Sequence, residues 1–211
     1  MKKRIISILV LFTFILSTCT SDLYNPDVCF QENVLPIFVS KCSMTGCHNS
    51  TDHKAGYDLT NYDGIMKGIV SKHPLQSDLY NVIRGSNPSM PPLNYPQLTK
   101  KEIDYIKIWI KMGAKNSSNC SGCDTSHYTY SGRIKPLMDS WCLGCHNTGN
   151  AGGGFDFSTY AGIKASITSH RLLGTIQHLS GFSPMPKNTN ALSSCDISAI
   201  EKWIAAGYPQ N

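Results

Sequence analysis

The sequence SWCLGCHNTG, residues 140–149, is the starting point for the fold, because a related copy of it lies earlier in the chain. Here Cys142 and Cys145 are separated by two residues, and His146 follows directly. The earlier stretch, KCSMTGCHNS at residues 41–50, ends in the same Cys-His-Asn but places four residues between its cysteines. Two related motifs in one chain of 211 residues predict a duplicated unit.

The duplication extends well beyond the two motifs. Residues 48–69 and 146–167 align without a gap over 22 positions, of which eight are identical. Downstream, LTKKEIDYIKIWIKMGA matches LSSCDISAIEKWIAAGY, which places Trp109 and Trp203 at equivalent positions. A polar linker of small residues, KNSSNCSGCDTSHY, separates the copies. We therefore predict two small domains, residues 19–121 and 122–211, after a targeting segment.

Each copy has the same predicted order of elements, and all of them are helices or loops. A proline, Pro36 or Pro136, begins a short helix that runs into the cysteines. A Gly-rich loop, a second short helix near residues 64–70 or 162–168, and a proline-bearing loop follow. The unit ends in an amphipathic helix whose isoleucines recur at helical spacing; they are Ile103, Ile106, Ile110, Ile197, Ile200 and Ile204. With no strand series visible, the prediction is an all-α, loop-rich fold.

The residue types in the motifs suit covalent attachment of haem. A c-type haem requires two thiols, which form thioethers with its vinyl groups, and an imidazole that ligates its iron. Cys142, Cys145 and His146 supply all three on one turn. Half of a zinc site or a redox-active Cys-x-x-Cys pair would use the same motif. The downstream methionine of each copy favours haem over both.

That methionine would be the second axial ligand of the iron. Met185 lies in SPMPK after His146, and Met90 lies in SMPPL after His48. Methionines usually fill hydrophobic cores, but these two are held next to prolines in both copies, outside any helical pattern. We predict His48 and Met90 as one axial pair and His146 and Met185 as the other. Two other histidines near these loops, His73 and His178, are the rival ligands that would give bis-His iron.

The first motif departs from the spacing of the second. Four residues lie between Cys42 and Cys47, so the loop between them must bulge for both sulfurs to reach one porphyrin. The duplication argues that this copy binds haem like the other. The competing interpretation is a Cys42–Cys47 disulfide in a haem-free copy.

The N-terminus has the pattern of an export signal. Lys2, Lys3 and Arg4 precede the uncharged run IISILVLFTFIL, which is too short to span a bilayer. Cys19 follows in LSTC, a sequence similar to a bacterial lipobox, although ordinary cleavage near Thr18 is the alternative. We predict a signal peptide over residues 1–18 and a lipid on Cys19. The remaining chain carries 16 Lys and Arg against 14 Asp and Glu, which gives no basic patch for nucleic acid.

Taken together, these motifs resemble the planctomycete-type cytochrome c domain. The shared features are the proline before the cysteines, CSMTGCH and CLGCH, DLTNYDGI and DFSTYAGI, SMPP and SPMP, and the final helices. The resemblance covers nearly the whole chain after the signal peptide, and it implies covalent haem c, a mainly helical fold and electron transfer. The departures are the wide first motif and Tyr208, which stands where the first copy has Ala114.

Four cysteines remain once the two motifs and Cys19 are assigned. Cys29 and Cys120 bracket the first copy, and Cys123 precedes the second motif while Cys195 begins its last helix. In an exported protein we favour the disulfides Cys29–Cys120 and Cys123–Cys195, one in each domain. The competitor is a local Cys120–Cys123 pair.

The function predicted from these observations is single-electron transfer by a dihaem c-type cytochrome at the cell envelope, facing the periplasm or the cell surface. Its partners would be redox proteins and, through the lipid, a membrane. Two occupied axial positions on each iron leave no vacant site for a substrate. The alternatives are a dihaem peroxidase, a haem-bearing docking subunit of a respiratory complex, and a haem-free disulfide-rich module.

Overall fold

The structure is a computed structural model that describes residues 28–118, 120, 122–124 and 126–211. The predictions for the signal peptide and for Cys19 lie outside these residues. None of the helices in the described part is long and apolar enough to cross a membrane. The fold is mostly helical and rich in loops, as the sequence predicts.

The described residues of the first half, from residue 28 onward, form four α-helices. A π-helical turn, Phe30–Val34, leads directly into α1 (Leu35–Cys42). Three further helices follow in the order α2 (Tyr62–Met66), α3 (Asp78–Ile83) and α4 (Lys100–Lys111). Short 3₁₀ turns lie at Lys54–Gly56 and Pro74–Gln76.

The second half repeats this order. A π-helical turn, Tyr130–Ile134, leads into α5 (Lys135–Trp141). The remaining helices are α6 (Tyr160–Thr168), α7 (Leu172–Ile176) and α8 (Ser194–Ala205), with a 3₁₀ turn at Gly152–Gly154. Between α5 and this turn lies a two-residue antiparallel ladder of β1 (His146–Asn147) and β2 (Asn150–Ala151), in which His146 pairs with Ala151. The order of the α-helices is therefore similar in the two halves, and the tandem duplication stays a prediction.

Local sequence signals account for the starts of the two longest helices, α4 and α8. Thr99 and Glu102 form a reciprocal capping box at the start of α4: the Thr99 hydroxyl accepts from the Glu102 N–H, and the Glu102 carboxylate accepts from the Thr99 N–H. At the start of α8 the Ser193 hydroxyl accepts from the Asp196 N–H at 3.0 Å. The predicted capping box is confirmed.

The hydrophobic core of the described residues falls into two clusters, one in each half, and each is centred on a buried tryptophan. Trp109 packs against Phe30 with ring centroids 5.1 Å apart, and Trp203 packs against Tyr130 at 5.9 Å. Each indole N–H donates to a backbone carbonyl six residues further on, at 2.9 Å and 3.0 Å. The two tryptophans therefore satisfy their one polar group in the same way, which explains why both copies keep this residue.

Two tyrosines tie the second helix of each repeat to the end of its last helix. The Tyr62 hydroxyl donates to the Ala114 carbonyl at 2.8 Å, and the Tyr160 hydroxyl donates to the Tyr208 carbonyl at 2.7 Å. This hydrogen bond uses only the backbone carbonyl, so alanine in one copy and tyrosine in the other both supply the acceptor. The Tyr208 ring additionally packs edge-on against Trp203, with centroids 6.3 Å apart.

Both disulfides in the structure link cysteines that are far apart in sequence. Cys29 bonds to Cys120, and Cys123 bonds to Cys195, with Cα–Cα distances of 5.7 Å and 5.4 Å. These are the two pairs that the sequence analysis favours, and the local Cys120–Cys123 pair is not formed. The predicted boundary at residue 121 lies between the two disulfides and stays a prediction.

Candidate functional site

The Cys-x-x-Cys-His motif of the second half lies at the end of α5, in a turn held by three backbone hydrogen bonds. The His146 N–H donates to the carbonyl of Cys142 at 3.0 Å, and the His146 carbonyl accepts from the Phe157 N–H at 2.8 Å. The Cys145 carbonyl accepts from the Gly152 N–H at 3.2 Å. We refer to these three bonds as the motif frame. They fix the backbone of both cysteines and of the histidine.

The wider first motif has the same motif frame. The His48 N–H donates to the carbonyl of Cys42 at 3.0 Å, although His48 lies six positions after Cys42 and His146 only four after Cys142. The His48 carbonyl accepts from the Leu59 N–H at 2.8 Å, and the Cys47 carbonyl accepts from the Lys54 N–H at 3.1 Å. The two extra residues therefore bulge out of the turn and leave the first cysteine and the histidine in equivalent backbone positions.

Asp52 stabilises that bulge. One of its carboxylate oxygens accepts from the Gly46 N–H at 2.7 Å and from the Asn49 side-chain amide at 2.6 Å. The Asn49 amide and then the Gly46 N–H lower the pKa of the Asp52 carboxyl group, because both donate to its charged form. No sequence signal marks Asp52, whose counterpart in the second copy is the uncharged Asn150.

The asparagine that follows each histidine closes the loop between the cysteines. The Asn49 amide donates to the Met44 carbonyl at 2.9 Å, and the Asn147 amide donates to the Leu143 carbonyl at 2.9 Å. The side-chain oxygen of each asparagine accepts backbone N–H groups two and three residues further on. The sequence analysis did not assign a role to these residues. Their identity in both copies of Cys-His-Asn was the available signal.

The imidazole of His48 is oriented by its own loop. Its Nδ1 atom lies 2.8 Å from the carbonyl oxygen of Lys54. A carbonyl oxygen can only accept, so Nδ1 carries the proton, and Nε2 of the neutral ring has a free lone pair. This is the arrangement that second-shell partners impose on metal-ligating histidines.

His146 lies in a more buried environment. Its ring stacks on Phe157 with centroids 4.8 Å apart and an interplanar angle of 18°. Burial lowers the pKa of His146, and the nearby backbone of Phe155 and Gly152 offsets only part of that shift. The neutral imidazole that an iron ligand requires is thus favoured. Nδ1 is buried without a hydrogen-bond partner among the described residues.

The four motif cysteines are unpaired. Burial raises the pKa of the Cys42 thiol to about 12, and burial, followed by the neighbouring Cys145, raises that of Cys142 to about 12. Thiols of redox-active Cys-x-x-Cys pairs have a lowered pKa instead. The raised values therefore count against a redox-active pair in either motif, and the Cys42–Cys47 disulfide is not formed.

The two methionine loops are anchored alike. The Met90 N–H donates to the Val82 carbonyl at 3.0 Å, and the Met185 N–H donates to the Thr175 carbonyl at 3.0 Å. Each methionine precedes a cis proline. Lys187, two residues after Met185, interacts electrostatically with Cys145 and His146, so this loop lies beside the second motif.

The two rival axial ligands, His178 and His73, lie in different surroundings. His178 is half-buried, and its Nε2 atom lies 3.1 Å from the Met185 carbonyl oxygen. Since that oxygen only accepts, the Nε2–H group of His178 is engaged in holding the methionine loop. His73 is exposed. Axial ligation by Met90 and Met185 stays a prediction.

The part of the chain that the structure describes has no preformed set of ligands for another metal ion. No group of three or more His, Cys, Asp or Glu side chains there is arranged to hold a metal ion. A structural zinc site takes four such ligands.

Residues 45–94 match the family model described as Planctomycete cytochrome C. The matched segment contains Cys47, His48 and Met90, so it supports a planctomycete-type cytochrome c domain in the half with the unusual cysteine spacing. At a general level the match indicates haem-based electron transfer. Among curated proteins and among solved structures, no match to the chain is found.

Proposed function

We propose that this protein is an exported dihaem c-type cytochrome that transfers single electrons between redox partner proteins. The observation that carries the proposal is the shared motif frame, which presents two unpaired thiols and one imidazole in each half of the chain. The family match over residues 45–94 supports it independently.

The side chains of each motif fit a covalently attached haem. Cys42 and Cys47 would hold one group, and Cys142 and Cys145 the other, through thioether bonds. His48 would ligate through Nε2, because Nδ1 donates to the Lys54 carbonyl. When bound, haem c supplies an iron centre that takes up and releases one electron. The residues of this chain would hold and orient this group.

Met90 and Met185, as the proposed axial ligands, would make the protein a carrier and not a peroxidase. Ligation by histidine and methionine raises the reduction potential of haem iron and fills both axial positions. The bond between His178 Nε2 and the Met185 carbonyl holds that loop and uses one of the two ring nitrogens of the rival histidine. We therefore propose that neither site offers an open iron position to a substrate.

Export and anchoring belong to the same proposal. The charged start and apolar run of residues 1–18 support export, and the LSTC sequence supports lipid attachment at Cys19. We propose that the protein stays at the cell envelope membrane. A fatty-acid label that is incorporated by the wild type and not by Cys19→Ala would support this, and equal labelling of both would contradict it.

Haem counting tests the central claim. The protein is expressed in a host that matures c-type cytochromes, and its intact mass is measured together with a pyridine haemochrome assay. We expect two covalent haems in the wild type. Each of the variants Cys42→Ala/Cys47→Ala and Cys142→Ala/Cys145→Ala should retain one. A haem-free wild type would overturn the proposal. A single haem that is retained in Cys42→Ala/Cys47→Ala and lost in Cys142→Ala/Cys145→Ala would limit the proposal to one centre.

Carbon monoxide binding separates the carrier from the peroxidase. Reduced wild-type protein should not bind the gas at neutral pH, because both iron positions are filled. Met185→Ala should open one position and bind one equivalent, with the folded state checked by circular dichroism in the far ultraviolet. Binding by the unmodified protein would favour the peroxidase alternative.

A further inference from the structure

The helices that lead into the two cysteine motifs pack against each other. α1 ends at Cys42, and α5 ends at Trp141, directly before Cys142. Six consecutive residues of α1, from Leu35 to Ser40, are buried. A helix that is buried on all sides has packing partners on all sides. The core of the first half covers one face of α1, and α5 contacts another.

The closest approach at this junction is between two backbones. A Cβ atom on Gly144 would lie 1.8 Å from the Ser40 carbonyl oxygen and 2.6 Å from its carbonyl carbon. Real Cβ atoms essentially never come within 3.0 Å of such atoms, so no other residue fits without separating the two segments. Gly144 is one of the two residues between Cys142 and Cys145, and Ser40 lies two residues before Cys42.

Two further observations place the motifs side by side. The side chain of Trp141 packs against the core clusters of both halves, whereas its counterpart in the first copy is Lys41. The thiols of Cys47 and Cys145, one from each motif, are close enough to interact electrostatically. The contact between the halves therefore lies at the attachment sites themselves.

We infer that this junction holds the two haem sites as one coupled pair, so that an electron passes between them within a single chain. The inference rests on the proposed function and adds the path that an electron takes between the two sites. In that step one site loses one electron and is oxidised, and the other gains it and is reduced. No bond forms or breaks, and no proton is transferred. Gly144 acts as a positioning residue, because its missing side chain sets the separation of the two motifs.

Circular dichroism in the Soret band tests the coupling, since two haems held close together in a fixed orientation give a bisignate signal. We expect this signal in the wild type and its loss in Gly144→Ala, in which the new Cβ would lie 1.8 Å from the Ser40 carbonyl oxygen and the two segments must separate until that distance is at least 3.0 Å. Gly149→Ala is the matched control, because its Cβ would lie 3.4 Å from the nearest atom, the Asn147 Oδ1 atom. It should keep the signal.

Haem counts on the same samples distinguish the two possible failures. If the wild type carries fewer than two haems, the proposed function fails. If it carries two and shows no bisignate signal, or if Gly144→Ala keeps the signal as fully as Gly149→Ala, only the coupling is overturned. Should Gly144→Ala not fold, Trp141→Ala serves instead, because it loosens the same junction without a backbone clash and should also weaken the signal. The single-haem variant Cys42→Ala/Cys47→Ala must lack it.

Discussion

Removing either long-range disulfide should destabilise the protein strongly. Cys29–Cys120 spans a sequence separation of 91, and Cys123–Cys195 spans 72. A crosslink restricts the unfolded chain more when it closes a longer loop. The perturbations are the double variants Cys29→Ala/Cys120→Ala and Cys123→Ala/Cys195→Ala, both made in a Cys19→Ala background so that no other thiol interferes.

The loop lengths set the expected size of the loss. Loop-closure entropy gives about 4.5 kcal/mol at 25 °C for either crosslink, and native disulfides removed from small secreted domains typically cost about 2–5 kcal/mol. A local Cys120–Cys123 pair would close a loop of four residues, for which the same relation gives only about 2 kcal/mol. The two pairings therefore predict different free energies of unfolding.

Urea unfolding of the haem-loaded protein measures this loss, and thiol labelling of single variants identifies the partners. In Cys29→Ala the newly labelled residue should be Cys120, and in Cys195→Ala it should be Cys123. The haem-bound cysteines do not react, because their sulfurs are in thioethers. Labelling at Cys195 in the Cys29→Ala variant would refute the pairing, and an unchanged midpoint in both double variants would refute the entropic reasoning.

Two further predictions concern hydrogen bonds that the structure shows. Tyr62→Phe and Tyr160→Phe should each cost about 1–3 kcal/mol in urea unfolding, since each leaves a carbonyl at the end of the last helix without its donor; Tyr95→Phe, at a residue 39% exposed, should cost less than about 0.5 kcal/mol. The Ser158 hydroxyl and N–H lower the pKa of Asp156, so its stabilising effect is present above the ordinary carboxyl pKa and is lost as pH falls to the lowered one. Carboxyl-carbon NMR titration should show that lowered pKa, and Ser158→Ala should bring it back toward the ordinary value; an unchanged titration would contradict the assigned cause.

Much of the fold could be predicted from the sequence, because its strongest signals are local or repeated. The isoleucine spacing and the Thr99–Glu102 box predict α4, and the structure places that helix at Lys100–Lys111. The prolines predict the helices that precede the cysteines, and both are present. Helices α3 and α7 were missed. They are only six and five residues long, and neither has a side-chain cap that would mark its start.

Some identities in the repeat could be observed in the sequence but not explained by it. Gly64 and Gly162 are identical in the alignment, and a Cβ on them would lie 1.8 Å and 1.6 Å from the carbonyl oxygens of Asp58 and Asp156. That close approach depends on how the loop folds back over the helix start. The junction at Gly144 is a contact between halves, and periodicity within one half carries no information about it.

The first motif shows why cysteine spacing alone is an incomplete guide to such a site. Haem attachment needs two sulfurs and an imidazole in a fixed relation, and the sequence distance between them matters only through that relation. In both motifs the histidine N–H donates to the carbonyl of the first cysteine at 3.0 Å, although the histidine lies six positions after that cysteine in the first motif and four in the second. Asp52 holds the additional residues through Gly46 and Asn49. An insertion is tolerated in this turn because it adds its own hydrogen bonds and leaves the motif frame unchanged.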